Sequence, residues 1–175
     1  MDNSLLYSVG TARGGTNLLN LILNVNDDVH LSQDPMLSLF KSFRNSLITS
    51  TQDIYLNSNS RDPLDSYYLP LDEYYYFSDK LRVMKMIQEA NLDVKFNQSE
   101  IDSLRDSLAN RMKLSSPLLI EHLNLLNGET YKELLLSAQK IMAKAWGTEG
   151  IKWQGFNENW AGEFIRPIAN SFEDA

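Results

Sequence analysis

Cysteine is absent from this 175-residue chain, and histidine occurs only at His30 and His122. Without cysteine the protein can form no disulfide, no thiolate metal site and no cysteine nucleophile. Two histidines offer little to a histidine-ligated metal centre, so the sequence predicts no metal site. A cysteine-free chain fits a reducing compartment, and we therefore expect a cytoplasmic location.

Long apolar runs and positive charge are also scarce. No apolar run approaches the roughly 20 residues of a membrane-spanning helix, and the first predicted strand begins too close to Met1 to leave room for a signal peptide. Asp and Glu number 23 against 16 Lys and Arg, a net charge of −7. An extended nucleic-acid-binding face is therefore not expected. An anionic cofactor can still bind, because local donors decide the potential at one loop.

The chain is organised around residues 5–23. Residues 5–9 form a short apolar run that is typical of a buried parallel strand. Gly10, Gly14 and Gly15 follow, and an apolar pattern with helical spacing comes next. Such a junction can bind an anion, because the first N–H groups of a helix lack internal partners and the helix dipole adds partial positive charge. Glycine lets the backbone approach a phosphate and adopt φ > 0.

The spacing of Gly10 and Gly15 is that of the nucleotide-binding P-loop, G-x-x-x-x-G-K-[ST]. Thr16 stands where that loop has its lysine, and Asn17 stands where it has the magnesium-binding hydroxyl. Both differences argue against a magnesium-dependent NTPase. The positive charge lies inside the loop instead, at Arg13, whose guanidinium suits bidentate contacts with oxyanions.

With its charge inside the loop, the stretch 10–19 resembles the phosphate-binding loop of the sulfotransferase family, whose pattern is roughly G-x-x-[RK]-[SG]-G-[TS]-[TSN]-x-[LM]. The chain matches that pattern throughout. The resemblance implies a domain that takes a sulfuryl group from 3′-phosphoadenosine 5′-phosphosulfate (PAPS) without a metal. The alternative is an ordinary strand–turn–helix corner with an incidental arginine. The implied cofactor-binding residues are Gly10, Thr11, Ala12, Arg13, Gly14, Gly15, Thr16 and Asn17.

The resemblance also implies two catalytic residues, Arg13 and Asp34. Arg13 would lie near the bridging oxygen and neutralise the charge that grows on the leaving phosphate. Asp34 falls shortly after the second predicted strand, where tyrosyl-protein-type and related sulfotransferases carry a catalytic glutamate. Equally, Asp34 can cap a helix that begins after Pro35. His30 is the alternative base, since many cytosolic family members use histidine, although its position in a strand favours a packed side chain.

Turn residues and apolar periodicity predict an α/β fold. Residues 5–9 and 29–31 are its first two strands, joined by a helix over about 16–24 in a compact βαβ unit with a right-handed crossover. The loop after the first strand and the Asp34 segment should then face one crevice. A third strand is expected over 150–155. The other predicted helices are 36–48, 79–90, 99–111, 117–126, 131–146 and one that begins at Asn157 or Glu158, is interrupted by Pro167 and ends near Phe172.

The middle of the chain, about 50–128, does not resemble the sulfotransferase family. Residues 50–65 are rich in Asn, Ser and Asp, which predicts a surface loop. The tyrosine-rich segment 67–77 can form part of an acceptor pocket or a packed insert against the core.

The last predicted helix, which ends near Phe172, resembles an amphipathic helix of the sulfotransferase family. In that family a buried strand follows the helix, and an arginine-rich motif after the strand holds the 3′-phosphate of PAPS. Residues 1–175 therefore resemble the N-terminal part of a single helix-rich domain with a P-loop-like three-layer fold and a parallel sheet, truncated at its C-terminus and inactive alone. The acceptor can be a small molecule, a carbohydrate or a protein, and the sequence predicts no particular oligomeric state. A P-loop kinase-like phosphotransferase and a non-catalytic protein of the sulfotransferase fold are the alternatives.

Overall fold

A small parallel sheet organises the protein. The computed structural model describes residues 4–10, 14–33, 36–49, 80–158 and 162–172. Three strands form one parallel sheet, in the order β1 (Ser4–Ser8), β3 (Trp153–Asn157) and β2 (Val29–Gln33). Ser8 and Gln33 both lie opposite Asn157, so the three strands end level with one another.

β1 and β2 are parallel, as the sequence predicts, but they are not neighbours. β3 lies between them and pairs with both. The compact βαβ unit expected from the sequence is therefore split by a strand from the C-terminal part of the chain. Gly155 permits the close approach of β3 to β1, because a Cβ atom at this position would overlap the main-chain carbonyl of Leu6.

Helices make up most of the described residues, which confirms a helix-rich α/β protein. None of these helices is long and apolar enough to cross a membrane. The α-helices are α1 (Thr16–Leu23), α2 (Leu37–Thr49), α3 (Lys80–Glu89), α4 (Gln98–Ser115), α5 (Pro117–Ile120), α6 (Tyr131–Trp146) and α7 (Ile165–Ser171).

α6 begins and ends where the sequence predicts, because both ends carry strong signals. Thr130 Oγ1 accepts a hydrogen bond from the Glu133 N–H (3.3 Å), and the Glu133 carboxylate accepts one from the Thr130 N–H (3.2 Å). Gly147 ends the helix with φ 65°, a left-handed conformation that suits glycine. α4 has the same kind of capping box at Asn97 and Glu100, in agreement with the predicted asparagine or serine cap.

Two predicted boundaries near the end of the chain are wrong. β3 extends to Asn157 because its last residues still pair with the ends of β1 and β2. Asn157 therefore ends a strand, Glu158 follows it, and neither begins a helix. After a short 3-10 turn, α7 begins only at Ile165. Pro167 thus lies in the first turn of α7, where its missing N–H would have no helical acceptor.

The helix expected over 117–126 is also interrupted. α5 ends at Ile120, and a 3-10 turn over Leu123–Leu125 follows. The His122 N–H donates to the Leu119 carbonyl (3.1 Å), a bond that spans three residues and tightens the chain out of the α-helix. The predicted loop 50–65 and the tyrosine-rich segment 67–77 lie outside the described residues.

Aromatic contacts connect α2 to the sheet and to the C-terminal helices. Phe40 lies edge-on to Phe156 and Phe164, with ring centroids 6.1 and 5.2 Å apart. Phe43 stacks on Tyr131 with centroids 4.2 Å apart. The apolar spacing within residues 36–48 predicts one buried face of α2. The structure confirms this face, since its side chains are buried fully at Leu37, Phe40 and Phe43 and partly at Leu47.

α1 has its polar side chains buried and its apolar side chains exposed. Thr16 and Asn20, one turn apart, are buried, whereas Leu21 is 67% and the following Val25 82% exposed. The apolar pattern therefore predicted the helix but not the face that meets the sheet. The other large apolar side chains exposed on α1 are Leu18, Leu19 and Ile22.

Candidate functional site

The predicted phosphate-binding loop connects the end of β1 to the start of α1. Its described members are Gly10, Gly14, Gly15, Thr16 and Asn17. Outside the described residues lie Thr11, Ala12, Arg13 and Asp34.

Gly15 forms the start of α1 in a conformation that favours glycine. Its φ is 84°, in the left-handed region, and its carbonyl accepts a hydrogen bond from the Leu19 N–H (3.0 Å). Glycine offers no side chain to cap the helix, and the first turn of α1 contains no Asp or Glu. The first N–H groups of α1 therefore lack intrahelical acceptors and can donate to a ligand.

Gly10 packs against the first residue of α1. A Cβ atom at position 10 would overlap Cγ2 of Thr16. Gly10 and Thr16 are therefore neighbours in space. A larger residue at position 10 would have to displace the Thr16 side chain. Gly10 is thus favoured by close packing, and Gly15 is favoured by its left-handed backbone.

Asn157, the last residue of β3, reaches the first turn of α1. Its Nδ2 donates a hydrogen bond to the main-chain carbonyl of Thr16 (3.3 Å), and both residues are buried. No donor among the described residues lies within hydrogen-bond distance of Asn157 Oδ1. The middle strand of the sheet therefore holds the start of α1 through a side chain.

Glu158, the next residue, joins three chain segments. Its N–H donates to the Ser8 carbonyl at the end of β1 (3.0 Å). Its Oε1 accepts a hydrogen bond from the Met36 N–H (2.7 Å), directly before α2. The Glu158 side chain is fully buried. A carboxylate at the start of a helix is favoured by the helix dipole, which explains how this position tolerates an acidic residue.

Gln33, the last residue of β2, contacts the loop from the other side of the sheet. Its Nε2 donates to Asn17 Oδ1 over 2.5 Å. This hydrogen bond fixes the Asn17 amide with its oxygen toward β2, so that the Asn17 NH₂ group keeps donor capacity. The chain segment immediately before Asp34 therefore contacts the first turn of α1.

Burial and the negative charge of Glu158 together raise the pKa values of two tyrosines, Tyr7 and Tyr131. Burial, and secondarily the Glu158 carboxylate, raise the pKa of Tyr7 well above its ordinary value. The same two causes, in the same order, raise the pKa of Tyr131. Both phenols therefore stay protonated at neutral pH, and neither is a base in this site.

His30 lies in β2 as a packed side chain. Its ring is 5.6 Å from the Trp146 ring, and its Nε2 is 3.3 Å from Ser32 Oγ. Burial lowers the pKa of His30. His122 forms the start of the 3-10 turn after α5. No group of three His, Asp or Glu side chains that could hold a metal ion occurs in the part of the chain that the structure describes.

Sequence reasoning missed Asn157, Glu158 and Gln33. It ended the third strand at residue 155 and assigned the polar pair to a helix. The signal that could have found the pair is its position directly after the apolar Phe156, at the carboxyl end of a parallel strand. Ligands of open α/β sheets bind beyond these strand ends.

No protein-family model matches the chain, and neither the curated proteins nor the solved structures contain a match to it. The geometry supplies uncapped N–H groups, the Thr16 hydroxyl and the Asn17 amide at the carboxyl end of a parallel sheet. Groups of this kind can hold an oxyanion.

Proposed function

We propose that this protein belongs to the PAPS-dependent sulfotransferases, with a P-loop-like three-layer fold, and that residues 10–17 bind the phosphosulfate end of PAPS. The observation that carries the proposal is the coincidence of motif and geometry at Gly15. Gly15, which begins the family-like run Gly15-Thr16-Asn17, has φ 84° and precedes a helix without a side-chain cap, the first helix after a parallel strand. That arrangement supports oxyanion binding by main-chain N–H groups.

The described residues at the start of α1 support a role in holding the 5′-phosphate. The N–H groups of Gly14, Gly15, Thr16 and Asn17 are the donors that would hold it, and the Thr16 hydroxyl adds a further donor. Asn17 stands where the family usually has a hydroxyl residue. The bond from Gln33 to Asn17 Oδ1 leaves the Asn17 NH₂ group to serve as the donor in its place.

When bound, PAPS supplies a sulfuryl group: its bond to the 5′-phosphate oxygen breaks, a bond to an acceptor hydroxyl or amine forms, and the acceptor loses a proton. The loose transition state of such transfers requires positioning and charge stabilisation. Arg13 is the residue that would stabilise the charge on the leaving phosphate. Asp34 would accept the proton, a role in which a weak base suffices when the proton leaves late.

The test is the formation of 3′-phosphoadenosine 5′-phosphate (PAP), the desulfated product, from PAPS. The full natural gene product is assayed in EDTA, with small alcohols and amines, carbohydrates and tyrosine peptides as acceptors. We expect acceptor-dependent PAP formation that Arg13→Ala lowers about 100-fold and Asp34→Asn lowers without weakening PAP binding. Release of ADP from magnesium ATP in a parallel reaction would instead indicate the kinase-like alternative. Absence of both products would contradict the proposal and favour a non-catalytic protein.

A further inference from the structure

Two consecutive residues at the end of the middle strand contact both parts of the proposed site. Asn157 Nδ2 donates to the Thr16 carbonyl in the first turn of α1 (3.3 Å). Glu158 Oε1 accepts from the Met36 N–H at the start of α2 (2.7 Å), and the Glu158 N–H donates to Ser8 (3.0 Å). One dipeptide therefore joins the loop after β1 to the segment after β2.

Asn157 and Glu158 carry polar side chains at buried positions. Both side chains are buried, and burying an amide or a carboxylate is unfavourable unless hydrogen bonds compensate for the lost water. The side chains at 157 and 158 direct hydrogen bonds to main-chain groups at Thr16 and Met36, next to the two predicted site segments.

We propose that Asn157 and Glu158 are positioning residues that fix the first turn of α1, at Thr16, relative to the chain at Met36, directly before α2. The inference rests on the proposed function. Asn157 holds the first turn of α1, so its loss affects cofactor affinity. Glu158 holds the chain at Met36, two residues after Asp34 in the sequence, so its loss affects turnover.

The two residues should therefore affect different quantities in the full natural gene product: Asn157 the affinity for PAP, and Glu158 the rate of PAPS turnover. We expect Asn157→Ala to weaken PAP binding about fivefold to tenfold, the loss that one hydrogen bond explains. We expect Glu158→Ala to lower the rate of PAPS turnover about tenfold to 100-fold, with PAP affinity changed less than twofold. Glu158→Gln should recover most of the rate, because its side-chain oxygen can still accept from the Met36 N–H.

Gln154→Met is the matched control. Gln154 is a buried amide of the same strand, and its Nε2 donates to Thr148 Oγ1 (3.1 Å), a residue of the turn after α6. Its loss should lower the melting temperature but leave PAP affinity and turnover within twofold of the wild-type values. A merely structural role for Asn157 and Glu158 would make all variants follow the melting temperature in the same way.

Asn157→Asp adds a test by pH. A carboxylate there would face the Thr16 carbonyl and the bound anion, so we expect PAP affinity to fall more than tenfold at pH 8. As the pH falls toward 5, the side chain gains a proton, donates to the carbonyl and recovers affinity. The variant-to-wild-type ratio of Kd at each pH removes the titration of PAP itself.

Amide hydrogen exchange separates failure of this inference from failure of the proposed function. Asn157→Ala should increase the exchange rate of the Leu19 amide, which bonds to Gly15, more than tenfold over its rate in Gln154→Met. If wild type binds no PAP but this increase appears, the proposed function fails and the positioning by Asn157 stands. Equal exchange in both variants, or equal PAP affinity in Asn157→Ala and wild type, would overturn the inference.

Discussion

The side-chain amide of Gln33 donates a hydrogen bond to Asn17 Oδ1 over 2.5 Å, which joins the last residue of β2 to the first turn of α1. Because both side chains are exposed, we expect Gln33→Ala to lower the free energy of unfolding by less than about 1 kcal/mol. PAP affinity should fall about twofold to fivefold, since the Asn17 amide loses its fixed orientation.

Gln98→Ala is the control for this variant. Gln98 Nε2 donates to Asp102 Oδ1 (2.9 Å) on the exposed face of α4, away from the loop. Urea unfolding and calorimetry on both variants give the comparison. Equal PAP affinity in Gln33→Ala and Gln98→Ala would show that the contact between Gln33 and Asn17 has no part in the site.

Gly15→Ala and Gly147→Ala separate backbone strain from anion binding. Both glycines have left-handed φ values, 84° and 65°, and a Cβ atom meets nothing within 4 Å at either position. Each substitution should therefore lower the free energy of unfolding by about 1–2 kcal/mol through backbone strain alone. We expect Gly15→Ala to weaken PAP binding as well, whereas Gly147→Ala leaves it unchanged. A loss of affinity in both variants would point to a general loss of structure.

Two leucine substitutions test the exposed apolar face of α1. Leu104→Ala removes a fully buried side chain from α4 and should cost about 2–5 kcal/mol in chemical unfolding. Leu21→Ala removes one that is 67% exposed and should cost less than about 0.5 kcal/mol. A cost above 1 kcal/mol for Leu21→Ala in the full natural gene product would mean that another surface covers α1.

His30 should make stability depend on pH on the acid side. Burial lowers the pKa of His30 below its ordinary value of 6.5, so the unfolded chain binds the proton more readily than the folded one. The neutral form of His30 therefore leaves the free energy of unfolding unchanged above about pH 7, and this free energy falls as the pH drops below 6.5. His30→Gln should flatten the dependence of the urea midpoint on pH between 7.5 and 5. An unchanged slope would contradict the packed environment of His30.

Tyr131 should make the stability of the protein depend on pH on the alkaline side. Burial and the Glu158 carboxylate raise the pKa of Tyr131 above its ordinary value of 10.0, so the unfolded chain ionises first and stability falls as the pH rises above 10. Tyr131→Phe should reduce that loss. At pH 7 its effect should stay within about 1 kcal/mol, because no partner for the hydroxyl lies among the described residues. A cost above about 2 kcal/mol at pH 7 would reveal a hydrogen bond to this hydroxyl.

Local signals predicted the parts of the fold that depend on neighbouring residues. The bounds of α6 follow from the Thr130 and Glu133 capping box and from Gly147, and the buried face of α2 follows from its periodicity. The end of β3 depends on pairing with two distant strands, and no local pattern at Asn157 reports that pairing. The position of β3 between β1 and β2 depends on the same distant pairing.

The candidate site divides in the same way. The motif predicted the strand, the glycine-rich turn and the start of α1, because these follow from residues close in sequence. The side chains that hold them come from the ends of β2 and β3, at Gln33 and Asn157. α1 shows the complementary error, since Leu18 and Ile22 predicted a helix but are exposed, and the smaller Thr16 and Asn20 are buried.

The most direct test of the central claim is calorimetric titration of PAP into the full natural gene product in EDTA, with wild type beside Arg13→Ala. The proposal predicts binding that needs no metal and that Arg13→Ala weakens at least about tenfold, as expected for a charge-assisted contact. Absence of binding by the wild type, or equal binding by both proteins, would contradict the assignment of residues 10–17 as the cofactor loop.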